Sequence, residues 1–224
     1  MTESGQELLK QAIKIVGLTD QTISSIQHPK EVRGKLQIGS LQTAASTFLP
    51  EILSKYHDDN PNVELIIKTG TTSATTQMVL DYKLDGAIIG GKIIEDDLTS
   101  ISLMNEELCL ITAKFKQDNL QNSPLLVFPV GCAYRKTLES WLDSQQIMMH
   151  QSIEFNYLNA IIASVSSGLG ISILPKRVVQ PYVDSGSITT LELPEPFSTL
   201  PISFIYRKDH IISHSFESFI KNLK

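Results

Sequence analysis

Apolar and polar residues follow one another along this chain in two alternating patterns. Where every second residue is apolar the pattern predicts a strand, and where apolar residues recur three and four positions apart it predicts a helix. From residue 34 onward the two patterns take turns, with short polar or glycine-containing connections between them. Repeated strand–helix units of this kind predict an α/β fold with mainly parallel sheets.

The predicted elements are short, and they group into two blocks. Strands are predicted at residues 36–38, 63–68, 85–90, 98–103, 107–113, 125–128, 153–155, 171–174, 188–193 and 202–206. Helices are predicted at residues 73–84, 132–144, 158–167, 176–182 and 214–222. The blocks 34–91 and 125–175 both contain strands that lead into polar helix starts, which suggests two similar lobes. The acidic segment 92–97 and the proline-containing segment 193–200 are expected to be the crossovers or hinges between them.

The first strand leads into a segment that is rich in hydroxyl groups. Gly39 and Ser40 end the strand pattern, and Thr43, Ser46 and Thr47 then precede the apolar stripe of a helix. A strand that runs into such a helix start places free backbone N–H groups at the edge of the sheet. A small anionic or polar ligand can bind at a corner of this kind.

A separate amphipathic helix is predicted before the α/β region, over residues 4–28. Its positions Leu9, Ile13, Val16 and Ile23 have nearly the spacing of a coiled-coil seam. Such a helix packs either on its own domain or against a second copy of the chain. Because it precedes the α/β region, we expect it to be a dimerisation helix.

Composition and charge narrow the range of functions. The chain has 224 residues, of which 42% are hydrophobic and 19% are charged, as in an ordinary globular protein. Its net charge of −5 argues against nucleic-acid binding by this chain alone. No apolar run approaches the roughly 20 residues of a membrane span, and the N-terminus lacks the features of a signal peptide. We therefore expect a cytoplasmic protein without a membrane partner.

Several motifs occur in the order in which one known family has them. They are Thr2-Glu3-Ser4-Gly5-Gln6-Glu7-Leu8-Leu9; Gly34-Lys35-Leu36-Gln37-Ile38-Gly39 with Leu49-Pro50 and Asn60-Pro61; Gly70-Thr71-Thr72 with Lys83-Leu84-Asp85-Gly86-Ala87-Ile88; and Val165-Ser166-Ser167-Gly168-Leu169-Gly170-Ile171-Ser172-Ile173-Leu174-Pro175. Together they resemble the linker helix and effector-binding domain of LysR-type transcriptional regulators. The family's N-terminal winged helix-turn-helix has no counterpart here, so we expect a piece of a longer regulator.

The resemblance implies a fold, an activity and partners. The fold would be two Rossmann-like lobes of the type 2 periplasmic-binding-protein kind, joined by two crossover strands and preceded by the linker helix. The expected division is 1–30 for the linker helix, 34–94 with 200–224 for the first lobe, and 95–199 for the second. The protein would form homodimers or homotetramers, bind a small-molecule effector between the lobes, and contact DNA only through the absent domain.

Both lines of reasoning predict the residues that line the cleft. Helix starts offer N–H groups and hydroxyls, which suit a carboxylate or a phosphate. Any one of these hydroxyls is more simply explained as a helix cap, but the cluster favours a cleft. The expected effector-binding residues are Ser40, Gln42, Thr43, Thr71 and Thr72 in the first lobe, and Gly131, Cys132, Tyr134, Arg135 and Asn156 in the second. Among them, Arg135 is expected to form a bidentate contact with a carboxylate.

The two cysteines, Cys109 and Cys132, have different expected roles. Cys109 lies in an apolar strand, where a buried and inert thiol is usual. Cys132 begins a helix close to Arg135 and Lys136, which would stabilise its thiolate. Peroxide-sensing members of the family carry a reactive cysteine in a comparable stretch, followed by a partner that this chain lacks. Cys132 is thus expected to be either a wall residue of the cleft or a one-cysteine redox sensor.

Other functions have less support in the sequence. A stand-alone solute-binding protein of the same fold is disfavoured by the preceding helix and by the missing signal peptide. An enzyme is disfavoured because no nucleophile–base pair or set of metal ligands is apparent. We therefore expect an effector-sensing and oligomerising region with no catalytic activity, no metal and no cofactor.

Overall fold

Strands and helices alternate along the computed structural model, which describes residues 2–27, 32–114, 123–147, 151–210 and 213–223. Its helices are α1 (Glu3–Gln27), α2 (Gln42–Ser46), α3 (Leu49–Asp59), α4 (Thr72–Leu80), α5 (Ala133–Ser144), α6 (Leu158–Ser166), α7 (Lys176–Asp184) and α8 (His214–Asn222). Its strands are β1 (Gly34–Ser40), β2 (Val63–Thr69), β3 (Gly86–Gly90), β4 (Leu98–Ala113), β5 (Leu125–Val127), β6 (Ser152–Glu154), β7 (Ser172–Pro175), β8 (Ile188–Glu192) and β9 (Thr199–Arg207). The predicted α/β class is confirmed.

Two lobes share one long strand. In the first lobe, β1 pairs in parallel with β2 and β3, while β9 pairs antiparallel with β3 and β4. Helices α2, α3, α4 and α8 belong to this lobe. In the second lobe, β7 and β8 pair antiparallel with β4, and β5 pairs in parallel with β6. A bridge between Leu125 and Ile171 links β5 to the segment before β7, and helices α5, α6 and α7 belong to this lobe.

Strand β4 corrects the prediction of two separate strands at residues 98–103 and 107–113. The polar residues between those segments looked like a break, yet Asn105, Glu106 and Glu107 continue the pairing with β9. A register shift between Ser102 and Met104 absorbs the irregularity, as a β-bulge does. The strand then exchanges β9 for β7 and β8 as its partners, from Leu108 onward.

The exchange of partners shows where the chain passes between the lobes. The first crossing lies inside β4 near Leu108, and not at residues 92–97, which precede the strand. The second crossing runs from β8 to β9, within the predicted segment 193–200. At this point the Leu108 N–H donates to the Ser198 carbonyl at 2.8 Å. The lobe limits 34–94, 200–224 and 95–199 stay a prediction.

The predicted helix after β1 is divided into two. Helix α2 ends at Ser46, and α3 begins at Leu49 with Pro50 in its first turn. Because proline has no N–H and clashes with the preceding turn of a helix, it favours a new start over a continued helix. Thr43 therefore lies in a short helix of its own, directly after the end of β1.

Helix α1 begins and ends within one residue of the predicted bounds, and residue 28 lies outside the described residues. Large apolar side chains on it are exposed, namely Leu8, Leu9, Ile15, Val16, Leu18 and Ile23. The side chain of Ile13 lies outside the described part of the chain. The role of α1 in dimerisation stays a prediction.

Aromatic side chains join α8 to the first lobe. Phe216 and Phe219 are buried against Phe204 of β9, and the Tyr56 ring meets Phe219 edge-on with 5.4 Å between ring centroids. The Tyr56 hydroxyl donates to the Ser215 carbonyl at 2.9 Å, which satisfies its polar end inside the core. The C-terminal helix therefore closes the core of the lobe that contains β1.

This packing predicts a pH dependence of stability through His210. The ring centroids of His210 and Phe216 are 4.1 Å apart, and His210 lies beside Arg207. Burial, and to a smaller extent the charge of Arg207, lower the pKa of His210 from 6.5 to about 4. The unfolded chain therefore binds the extra proton first as pH falls. The free energy of unfolding should decrease between about pH 6.5 and about pH 4, by up to about 3 kcal/mol.

Urea unfolding at several pH values measures this effect. His210→Gln should flatten the pH dependence in that window, whereas the exposed control His57→Gln should retain it. An equal dependence in His210→Gln and in the unsubstituted protein would contradict the assignment.

Candidate functional site

A cavity of about 330 Å³ lies between the two lobes. The first lobe supplies the start of α2 and the turn between β2 and α4, and the second lobe supplies the segment before α5 and the turn before α6. The lining residues are Leu41, Gln42, Thr43, Thr69, Gly70, Thr71, Phe128, Pro129, Cys132, Tyr134, Asn156 and Tyr157. The volume is at the lower end of the ~300–1,000 Å³ of small-molecule pockets.

Besides the short α2, three longer helices begin at this cavity. The residues that precede their first turns are Thr71 for α4, Cys132 for α5 and Tyr157 for α6, and all three line the cavity. A helix N-terminus has unpaired N–H groups and a partial positive charge. None of the described lining residues is a lysine or an arginine, so the positive partial charge expected in this part of the wall is that of the helix starts.

The first-lobe wall contains polar side chains with different roles. The Thr71 side chain accepts a hydrogen bond from the Ala74 N–H at 3.2 Å and so caps α4. The Thr72 hydroxyl bonds the carbonyl and N–H of Gly90 and lies outside the lining. The Ser40 hydroxyl is fully buried, donates to the Leu41 carbonyl at 2.9 Å, and is outside the lining as well.

Arg135 of the second lobe has partners away from the cavity. Its guanidinium contacts Glu139 at 2.7 Å and Glu154 at 2.8 Å, and it also donates to the Phe128 carbonyl. These bonds stabilise the start of α5, and Arg135 is absent from the lining. The guanidinium is thus already engaged by groups outside the cavity.

Gly131 makes a close contact between the lobes and does not line the cavity. Its φ of +91° is a conformation that side-chain-bearing residues rarely adopt, and a Cβ here would lie 2.8 Å from Ser73. The Gly131 carbonyl accepts a hydrogen bond from the Ser73 N–H at 3.2 Å. A glycine at this position lets α4 and the loop before α5 meet directly.

Gln42 connects the lobes on the other side of the cavity. Its side-chain amide donates to the carbonyl of Asn156 and accepts from the N–H of Leu158 at 2.9 Å. One side chain of the first lobe therefore satisfies two backbone groups at the start of α6. Together with the Ser73–Gly131 contact, this pairing holds the lobes close over the cavity.

A third connection runs from the wall into the protein and includes a residue that sequence reasoning missed. Thr43 Oγ1 lies 2.7 Å from Tyr134 Oη, and Tyr134 Oη donates to Glu106 Oε2 at 2.8 Å. Burial raises the pKa of Glu106 and raises that of Tyr134 well above its ordinary value. Glu106 Oε1 is buried and has no hydrogen-bond partner among the described residues.

The predicted thiolate at Cys132 is not supported by its surroundings. The thiol is buried, and that burial raises its pKa although backbone N–H groups and Arg135 act in the opposite direction. Desolvation of the charged form therefore outweighs the helix start and the nearby cation. Cys109 is buried as expected, and its pKa is raised to about 11 for the same reason.

Six of the ten predicted site residues line the cavity, namely Gln42, Thr43, Thr71, Cys132, Tyr134 and Asn156. The other four support the wall from outside it. The remaining lining residues were not in the predicted set, although Thr69 and Gly70 directly follow a predicted strand. They are Leu41, Thr69, Gly70, Phe128, Pro129 and Tyr157. Glu106 was missed too, although its position in the strand indicates burial. Side chains two residues apart in a strand lie on the same face, so Glu106 faces inward together with the buried Leu108.

Metal-ligand clusters and membrane helices are both absent from the described residues. Across residues 2–27, 32–114, 123–147, 151–210 and 213–223, no group of three or more His, Cys, Asp or Glu side chains is arranged to hold a metal ion. In the same ranges, no helix has the length and apolar character to span a bilayer.

Comparison with known proteins gives consistent matches. The family model for the LysR substrate binding domain matches residues 29–224. The HTH-type transcriptional regulator YusT of Bacillus subtilis is 40% identical over 98% of this chain and 75% of its own length. YofA of Bacillus velezensis, also an HTH-type transcriptional regulator, is 36% identical over 100% of this chain and 78% of its own length.

Solved structures with the same fold include two regulators of low sequence identity. The effector-binding domain of QuiR in complex with shikimate is similar with a TM-score of 0.71 and 19% identity, over 85% of this chain and 95% of that one. A full-length OxyR variant from Pseudomonas aeruginosa is similar with a TM-score of 0.73 and 20% identity, over 100% of this chain and 76% of that one. These likenesses bear out the predicted type 2 periplasmic-binding-protein fold.

The burial of Cys132 predicts a slow thiol. At neutral pH its reaction with a disulfide reagent such as DTNB should be slower than that of an unstructured cysteine peptide, because burial raises the pKa of the thiol and so lowers its thiolate fraction. Peptide mapping by mass spectrometry would assign the labelled cysteine, and unfolding in urea should restore the peptide rate. A folded-state rate for Cys132 equal to that of the peptide would instead favour the one-cysteine redox sensor.

Proposed function

The chain belongs to the family of LysR-type transcriptional regulators, and we propose that it binds a small anionic metabolite in the cavity between its lobes. The bound effector would change the spacing of the lobes and thereby the way in which the regulator binds DNA. The relatives are transcriptional regulators, so we propose a sensing role without catalysis, in the cytoplasm.

One observation carries the preference for an anion. Helices α4, α5 and α6 come from both lobes and begin at the same cavity. Each helix N-terminus favours a nearby anion by about 0.3–1 kcal/mol, and by up to ~2 kcal/mol where it is partly buried. Three of them around one cavity favour a carboxylate although none of the described lining residues is basic.

The hydrogen-bonding groups in the wall support a polar ligand with a defined orientation. Thr43 and Thr71 line the cavity from the first lobe, and Asn156 lines it from the second. Leu41 and Phe128 provide apolar surface beside them. A small organic acid with one carboxylate and a compact carbon skeleton matches this combination better than an inorganic ion does.

The Gln42 bridge provides the coupling between ligand and lobes. It joins α2 to the start of α6 at the edge of the cavity, so a ligand that contacts both walls adds to the same closure. A ligand shifts such an equilibrium by its differential affinity for the closed and open arrangements. The effector thus acts as a further connection between lobes that are already joined.

The exposed face of α1 supports the proposal of a homodimer or homotetramer. Leu9, Val16 and Ile23 are exposed on one helix and have nearly the spacing of a coiled-coil seam. Pairing of two such helices would bury these side chains. It would also transmit a change in one subunit to its neighbour.

Ligand-dependent stabilisation tests the proposed site. A panel of small carboxylates with their matched amides, beginning with shikimate because QuiR binds it, would be screened by thermal unfolding. At a hundredfold excess over Kd, binding adds about 2.7 kcal/mol, which raises the Tm of a chain of this size by roughly 5–10 °C. We expect the carboxylates to give the larger shifts.

Variants then assign the stabilisation to the cavity. Thr43→Ala should abolish the shift because it removes a wall hydroxyl, whereas Thr199→Ala, at an exposed position on β9, should leave the shift unchanged. A full shift in Thr43→Ala would exclude Thr43 from the binding site. Larger shifts with the amides than with the acids would contradict an anionic effector.

A further inference from the structure

Three polar side chains form a continuous chain from the cavity into the crossover strand. Thr43 and Tyr134 line the cavity, whereas Glu106 lies behind them on β4 with 3% of its surface exposed. The Thr43–Tyr134 and Tyr134–Glu106 oxygen–oxygen distances are 2.7 Å and 2.8 Å. Each of the two hydroxyls has a single proton, so the direction of one hydrogen bond fixes the direction of the next.

With Glu106 ionised, both hydroxyl protons point inward, away from the cavity. The carboxylate can only accept, so Tyr134 donates its proton to Oε2. Tyr134 Oη then accepts from Thr43, whose only proton is used in that bond. The Thr43 hydroxyl then offers the cavity only lone pairs, which repel a carboxylate.

With Glu106 protonated, the hydrogen bonds between the same oxygen atoms run outward, toward the cavity. The carboxylic acid donates to Tyr134 Oη, and Tyr134 donates to Thr43 Oγ1, at unchanged oxygen positions. The Thr43 proton is then free to turn into the cavity and donate to an anion. Only hydroxyl rotations and one new O–H bond on Glu106 separate the two arrangements.

The unpaired oxygen of Glu106 specifies which oxygen takes the proton. Oε1 has no hydrogen-bond partner among the described residues, so a proton there would leave a buried donor unsatisfied. A proton on Oε2 is used at once in the bond to Tyr134. Protonation on Oε2 also removes the charge from the unpaired oxygen, which lowers the cost of its burial.

The groups around Glu106 act in opposite directions on its charge. Burial favours the neutral acid, while Tyr134 of α5 and the positive charge of Arg177 of α7 favour the carboxylate. Cys132 lies close enough to Tyr134 to act on it, and its own burial favours the neutral thiol. The neighbouring Glu107 is exposed and pairs with Lys176 at 3.1 Å.

From this geometry we infer that the site binds an anionic effector together with one proton, which is taken from solvent and held on Glu106 Oε2. This inference rests on the proposed function, and it specifies how the cavity selects the charge of its ligand. The proton forms one O–H bond on Glu106, and no other bond to hydrogen is made or broken overall. Tyr134 and Thr43 are positioning residues that pass the change in direction to the cavity.

Calorimetry with two probes tests the coupling. Cyclohexanecarboxylate and the uncharged cyclohexanecarboxamide would be titrated from about pH 5 to about pH 9 in buffers of different ionisation enthalpy. The Kd of the carboxylate should rise about tenfold per pH unit above the pKa of Glu106 in the free protein, with uptake of one proton per ligand. The amide should show neither effect.

Two variants separate Glu106 from its neighbour. Glu106→Gln removes the titrating carboxyl and supplies an amide that can donate to Tyr134, so carboxylate binding should lose its pH dependence in that window. The matched control Glu107→Gln removes the same charge from an exposed position and should retain the dependence. Carboxylate binding without proton uptake in the unsubstituted protein would overturn the inference and leave the proposed function intact.

A measurement without ligand tests the inference even if neither probe binds. Failure of the carboxylate to bind would count against the proposed acid effector. Carbon-13 NMR of the Glu106 carboxyl would follow its titration in the unsubstituted protein and in Thr43→Val. Loss of the Thr43 donor weakens donation by Tyr134, so the pKa of Glu106 should rise although Thr43 does not touch it. Thr199→Val is the control and should leave the titration unchanged. An unchanged titration in Thr43→Val would overturn the inference.

Discussion

The sharing of strand β4 between two sheets is the constraint on which the rest of the structure depends. Its first part pairs with β9 in one lobe and its last residues pair with β7 and β8 in the other. Because the backbone hydrogen bonds of one strand serve both sheets, the lobes cannot separate without loss of sheet pairing. Their faces meet beside the crossing point, and the cavity lies between them.

This arrangement explains why the wall of the cavity can be polar without a charged side chain. The turns after β2, before α5 and before α6 all open toward the space between the lobes. Each turn places a helix start there, and the N–H groups of a helix start need a partner. Some of these groups already have one, since the Ala74 N–H bonds Thr71 and the Leu158 N–H bonds Gln42. The proposed carboxylate would be a partner for others, while Arg135 is held outside the wall by Glu139 and Glu154. In the proposed function, backbone geometry and not a cation would thus set the preference of the site for an anion.

Much of the fold could be predicted from the chain because local patterns determine it. The alternation of strands and helices, the bounds of α1 and the hydroxyl-rich segment after β1 are all visible in residue periodicity. Strand β4 was divided because pairing with β9 is non-local, so Asn105 and Glu106 look like a break when read alone. The outward position of Arg135 depends on Glu154, 19 residues away, which no local pattern indicates. The pKa of Cys132 was misjudged for a similar reason, since its burial comes from packing between elements and not from neighbours in sequence.

The central claim is that the space between the lobes holds a small acid. A crystal structure of the protein with the carboxylate that stabilises it most would test this claim directly. We predict electron density for the acid inside the cavity, with a carboxylate oxygen within about 3 Å of Thr43 Oγ1 and the Gln42 bridge to α6 intact. Density for the acid elsewhere on the protein, with the cavity filled only by water, would contradict the claim.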